Sequence, residues 1–198
     1  MGVGGATGVP LKRRPRRYAH LGESAAAPAQ RVPERAGLGL CAGFTGVVRS
    51  IRLETVIAAP PGDCFGLSLS VDAHAASMGP SGERAVGGVT SGAMKLGDTV
   101  TWRARHFGIV FRMTSAITEY EYPGRFVDEQ QRGPFRRWRH EHTFTAADGG
   151  TRMSDAVEFR SPLGPAGALA GCLVLDRYLR HLLVQRNAWL KATLEARS

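Results

Sequence analysis

From residue 51 onward the hydrophobic and polar positions fall into a short list of periods. Ile51 to Ala58 alternates polar and apolar, which predicts a strand. Pro60-Pro61 follows and suits a helix start, so Asp63 to Met78 is read as one or two short helices, broken near Ser70–Asp72. Glu83 to Val89 predicts a short strand weakened by glycine. Asp98 to His106 then puts Val100, Trp102, Ala104 and His106 on one face, with Thr101, Arg103 and Arg105 on the other. Phe107-Gly108 turns the chain, and Ile109 to Tyr120 places Ile109, Phe111, Met113, Ser115 and Ile117 together. Pro123-Gly124, Gly133-Pro134 and Asp148-Gly149-Gly150 mark three more turns. Between them, Arg125 to Gln131 carries Phe126, Asp128 and Gln130 inward. Phe135 to Ala146 carries Trp138, His140, His142 and Phe144 inward, and Thr151 to Arg160 carries Met153, Asp155, Val157 and Phe159. After Pro162 and Pro165 the period changes to three and four: Leu169, Cys172, Leu175, Leu179, Leu182, Leu183, Arg186 and Leu190 share one stripe of a helix from about 166 to 196. A helix that long buries its stripe only against something broad, and the meander of strands is the broad partner at hand.

Residues 1–49 show neither period. The segment is rich in Gly, Ala, Pro and Arg and is expected to be disordered. Its KRRPRR run at 12–17 could serve as a nucleic-acid or anionic-lipid patch, or imitate the start of a signal peptide. The apolar stretch at 38–48, however, lies about twenty residues beyond the arginines, and a secretory signal needs the two adjacent. Regular structure starts just after Val47 and Val48, and a valine codon can act as a bacterial start. The natural protein is therefore expected to begin near residue 47, and an intact mass that includes residues 1–46 would contradict this. The domains expected are thus a disordered basic tail, 1–49, and a folded domain, 50–198.

Charge changes the picture little. The formal net charge is +9, but residues 1–50 hold eight basic against two acidic side chains, which accounts for +6 of it. The remainder is near balance, so no specific nucleic-acid partner is expected. Arg103, Arg105, Arg136, Arg137 and Arg139 form an outward stripe, read as a solvated face, with transient membrane contact as the functional alternative. No apolar run reaches the roughly 18–20 residues that span a bilayer. Cys41, Cys64 and Cys172 are far apart and odd in number, which fits reduced thiols in a cytoplasmic protein.

The candidate chemistry lies on the inner face. With Gly133-Pro134 as a hairpin tip, Asp128 falls opposite His140 and Gln130 opposite Trp138. With Asp148–Gly150 as the next, Asp155 falls opposite His142, and directly paired residues have Cβ atoms about 4.5–5.5 Å apart. The two pairs can form a satisfied polar cluster, recognise a ligand, or act as general acid and base. His140-x-His142 also sets two imidazoles on one face with Asp155 as a third donor. Charge pairing explains the same residues equally well, so no metal and no cofactor are expected. Trp102, Phe111, Met113, Trp138, Phe144 and Phe159 read as core that doubles as cavity wall.

The order strand, two short helices, antiparallel meander, long helix resembles the helix-grip fold of the START-like, birch-pollen-allergen-like superfamily, also called SRPBCC. The blocks FVDEQQRGPFRRWRHEHTF at 126–144, TRMSDAVEF at 151–159 and PLG at 162–164, followed by the helix, resemble its bacterial cyclase/dehydrase-like subgroup. The resemblance covers about residues 50–196. It implies an α+β fold in which six to seven strands wrap a C-terminal helix around an internal cavity. The function it implies is binding or transfer of a hydrophobic small molecule such as a lipid, polyketide or isoprenoid, by a monomer or weak dimer. The alternatives are a polyketide cyclase/dehydrase, lyase-like, with His140, His142, Asp128 and Asp155 as catalytic candidates, and a protein-interaction module without ligand. The expected ligand-binding residues are Trp102, His106, Phe111, Met113, Phe126, Asp128, Gln130, Trp138, His140, His142, Phe144, Asp155, Val157, Leu179 and Leu183.

Overall fold

The computed structural model describes residues 48–161 and 165–197; of Pro80 and of residues 165–173 only the backbone is described. The expected tail and Cys41 lie outside these residues, as do the side chains of Leu169 and Cys172. Seven strands form one antiparallel sheet: β1 (Arg49–Ile57), β2 (Arg84–Gly88), β3 (Thr99–His106), β4 (Ile109–Glu121), β5 (Arg125–Arg132), β6 (Arg137–Ala147) and β7 (Gly150–Arg160). Their order is β1-β7-β6-β5-β4-β3-β2, so each strand from β2 to β7 pairs with its sequence neighbour and β1 closes on β7. Helices α1 (Pro61–Ser68) and α2 (Val71–Ser77) fill the crossover from β1 to β2, and α3 (Pro165–Glu195) follows the sheet. The break between α1 and α2 comes at Leu69 and Ser70, where the Ser70 hydroxyl accepts from the Ala73 amide and starts α2. No helix among the described residues is long and apolar enough to cross a membrane.

Turn chemistry fixes the register. Asp148 and Gly149 connect the Ala147–Gly150 pair, with Gly149 at φ 76°. A Cβ on Gly150 would stand 2.1 Å from the Ile57 carbonyl oxygen, so only glycine lets β1 cross there. At the β3–β4 tip His106 pairs with Ile109, and both intervening residues, Phe107 (φ 52°) and Gly108 (φ 79°), are left-handed.

The core has two parts. Beneath α1, Phe65 is fully buried and meets the rings of Tyr120, Tyr122, Phe126 and Phe144 edge-on at 5.1–5.6 Å. Ile57, Met153, Leu190 and Leu194 complete that end. At the other end Ile51, Val157 and Phe159 pack under Leu179 and Leu183 of α3. The helix thus rests on the β1–β7 edge.

On the outer face, two arginines of the stripe are paired. Arg139 contacts Glu119, Glu129 and Glu141 at 3.1, 3.6 and 2.9 Å, and Arg137 reaches Glu158 at 3.8 Å. Arg103, by contrast, lies in register between Arg84 and Arg112.

Candidate functional site

Inside the sheet lies a cavity of about 340 Å³. Its wall takes Val100, Trp102, Ala104 and His106 from β3, Phe111, Met113, Ser115 and Ile117 from β4, and Phe126 and Asp128 from β5. Trp138, His140 and His142 come from β6; Leu175, Tyr178, Leu179, Leu182, Leu183 and Arg186 come from α3. The alternation legible in the sequence is what delivers these side chains to one concave face. Eleven of the fifteen residues expected to touch a ligand line this space.

The other four do not, for distinct reasons. Gln130 spends its side chain on the β5–β6 turn: its amide nitrogen donates to the Phe135 carbonyl at 2.7 Å and its oxygen accepts from the Phe135 amide at 3.2 Å. Phe144 belongs to the packing around Phe65, and Val157 to the packing under Leu179. Asp155 faces inward but is covered by the two imidazoles and by α3.

Asp155 is the hub of the polar wall. The register pairs Asp128 with His140 and His142 with Asp155, as strand parity predicts. The side chains also reach diagonally. Asp155 Oδ1 accepts from His140 Nε2 at 2.9 Å and lies 2.8 Å from His142 Nδ1, which is poorly aligned for a hydrogen bond. Asp155 Oδ2 accepts from Asn187 Nδ2 at 2.6 Å. Asp128 Oδ2 is 3.3 Å from His142 Nε2 and 3.7 Å from His140 Nδ1. The two imidazoles tilt over each other with centroids 3.8 Å apart. Arg186, 5% exposed, places Nη1 3.8 Å from Asp155 Oδ1 and donates to the Ser68 carbonyl.

These contacts set the charges. Burial alone would raise both carboxyls, but the histidine contacts outweigh it. They hold Asp155 well below the usual carboxylate range and lower Asp128 as well, with Arg186 assisting at Asp128. Burial and the adjacent His142 lower His140, against the pull of Asp155 and Asp128. The site at neutral pH thus holds two carboxylates, a guanidinium and a neutral His140. As pH falls, the unfolded chain protonates its histidine first, because the folded His140 resists. Stability from this residue is complete above the ordinary histidine value of about 6.5 and declines below it. The two aspartates act lower: their contribution is present above an ordinary value near 3.9 and is lost as pH falls through the depressed folded values. Urea midpoints should drop between pH 7.5 and pH 5, and His140→Gln should reduce that drop; equal slopes in both proteins would contradict the assignment.

A second polar group lies on the other side of the cavity. His106 Nδ1 and the Tyr178 hydroxyl are 2.7 Å apart, and His74 Nε2 lies 3.3 Å from Glu83 while its ring tilts over Trp102 at 4.3 Å. Beside them Phe107, 64% exposed, packs on Tyr178 at 4.5 Å and marks where the cavity reaches the surface. His74, Glu83, Tyr178 and Asn187 were not foreseen from the sequence. Arg186 carried a readable signal, since a charge in the apolar stripe of α3 demands a buried partner.

No protein-family model and no curated protein matches the chain. Solved structures do. Protein TTHA0849 from Thermus thermophilus is 19% identical, with a TM-score of 0.59 over 73% of this chain and 99% of that one. The Zhui aromatase/cyclase from a Streptomyces species is 14% identical, with a TM-score of 0.60 over 76% and 96%. Major latex-like protein 151 from Panax ginseng is 14% identical, with a TM-score of 0.52 over 75% and 99%. At these identities the likeness is one of architecture, and in architecture the chain is a helix-grip protein.

Proposed function

We propose that this protein binds a hydrophobic small molecule, of lipid, polyketide or isoprenoid kind, inside the sheet, with the molecule's polar end against Asp128, His140 and His142. The observation that carries this reading is the cavity itself: its volume falls within the roughly 300–1,000 Å³ of small-molecule sites, and its wall is apolar apart from convergent polar groups. A filled core would have closed that space, because cavities cost stability. An aromatase/cyclase and a latex-like protein of similar architecture support the reading without naming the ligand.

A second reading is a cyclase/dehydrase-type enzyme. The favouring observation is His140, kept neutral and oriented by Asp155 at 2.9 Å while its ring lines the cavity beside Asp128. A neutral, oriented imidazole is the arrangement a general base needs. Turnover of an aromatic polyketide precursor, abolished in His140→Gln, would support it.

Ala104 offers the test of binding. It lines the cavity from β3, so Ala104→Phe projects a ring into the space where the ligand is placed. Titration with an environment-sensitive apolar dye should show at least tenfold weaker uptake by the variant at a melting temperature within a few degrees of the parent. Equal uptake by both proteins would place dye binding elsewhere and contradict the reading.

A further inference from the structure

The two tilted imidazoles are held between two carboxylates, so that each ring turns one nitrogen toward Asp128 and the other toward Asp155. His142 has Nδ1 2.8 Å from one carboxylate and Nε2 3.3 Å from another; His140 has Nε2 2.9 Å and Nδ1 3.7 Å from the same two. Four ring nitrogens thus face carboxylate oxygens. Neutral imidazoles carry one N–H each, so two lone pairs point at negative charge. Two imidazolium rings with centroids 3.8 Å apart would repel each other in a buried site.

We propose that Asp128, His140 and His142 form a binding site for one divalent transition-metal ion, with Asp155 as its outer-sphere carboxylate. One donor from each residue, His140 Nδ1, His142 Nε2 and Asp128 Oδ2, gives three atoms within 4.8 Å of one another. Metal–donor bonds of about 2.0–2.2 Å set neighbouring donors roughly 3.0–3.5 Å apart; the two separations from Asp128, 3.3 and 3.7 Å, are near this, and the two ring nitrogens lie within 4.8 Å of each other. The remaining nitrogens, His140 Nε2 and His142 Nδ1, both face Asp155 Oδ1. At His140 this is the hydrogen bond by which an outer carboxylate fixes the tautomer of a ligating histidine, while at His142 the 2.8 Å contact needs a small turn of the ring to become one. Asn187 and Arg186 hold Asp155 in turn.

The sequence pattern alone suggested Asp155 as the third donor and charge pairing as an equal account. The geometry assigns the third position to Asp128 instead. Two imidazoles and one carboxylate select Zn²⁺, Fe²⁺ or Co²⁺ over Mg²⁺ or Ca²⁺. All three donor residues line the cavity, so the open coordination positions face it. With two carboxylates and Arg186, a divalent ion leaves one net positive charge, which suits an anionic oxygen donor on a bound molecule. This inference does not rest on the binding of a hydrophobic ligand, because the ion is measured with no organic molecule present.

The experiment uses the full chain, stripped with chelator and dialysed against Co²⁺. One cobalt per chain is expected, with visible d–d absorption and paramagnetically shifted imidazole N–H signals from His140 and His142. Asp128→Asn and His142→Gln should weaken cobalt uptake at least tenfold, Asp155→Asn about 10–100-fold as outer-sphere changes do. His106→Gln, across the cavity, should leave uptake unchanged. Should the site variants fail to fold, the shifted imidazole signals of the parent protein decide alone. No retained cobalt, or uptake without shifted signals from these two rings, overturns the proposal.

Discussion

Asp155→Leu should destabilise the fold by about 3–5 kcal/mol, the usual cost of removing one partner from a buried ionic group. The carboxylate is 1% exposed, and four side chains converge on it: His140, His142, Asn187 and Arg186. Leucine fills its volume but leaves the Arg186 guanidinium buried without its nearest counter-charge and Asn187 without its shortest acceptor. The double change His142→Phe with Asp155→Leu should not recover the loss, because Arg186 remains stranded. Asp155→Leu with Arg186→Met should recover much of it, since both charges then leave together. Urea midpoints at constant slope would report these differences, and a loss under about 1 kcal/mol for the single change would show that Asp155 is not the hub.

Phe65→Ala should cost a comparable amount, about 3–5 kcal/mol, for a different reason. Four aromatic rings meet Phe65, and at 1% exposure its removal opens a cavity that rigid strands on three sides cannot collapse. The effect should be one of stability alone: Phe65 does not line the ligand cavity, so apolar dye uptake per folded molecule should stay the same. A stable variant, or one folded but deficient in uptake, would mean that the two parts of the interior are not independent.

The strands from β3 to β7 were legible because each has one buried face and a glycine turn at one end. Val100, Trp102 and Ala104 alternate strictly, and a one-residue slip would have exposed all of them. The same parity placed Asp128 beside His140 and His142 beside Asp155. It could not say which carboxylate oxygen meets which ring, because side chains also reach their diagonal neighbours. Nor could it separate cavity wall from solid core. Phe126 and Phe144 share a face, yet only Phe126 reaches the cavity, since α1 covers Phe144. Gln130 had the right parity and a nearer use, the turn at Phe135. Asn187, Tyr178, His74 and Glu83 escaped because their positions depend on how α2 and α3 rotate over the sheet, which strand parity does not encode.

The central claim is that the interior of this fold holds a small hydrophobic molecule. A native mass spectrum tests it most directly, taken on freshly purified protein and again after incubation with a mixed extract of lipids and polyketides. The account predicts a noncovalent adduct at one molecule per chain for the parent protein and its absence in folded Ala104→Phe. A bare mass for the parent under both conditions, or the same adduct on the filled variant, would contradict it.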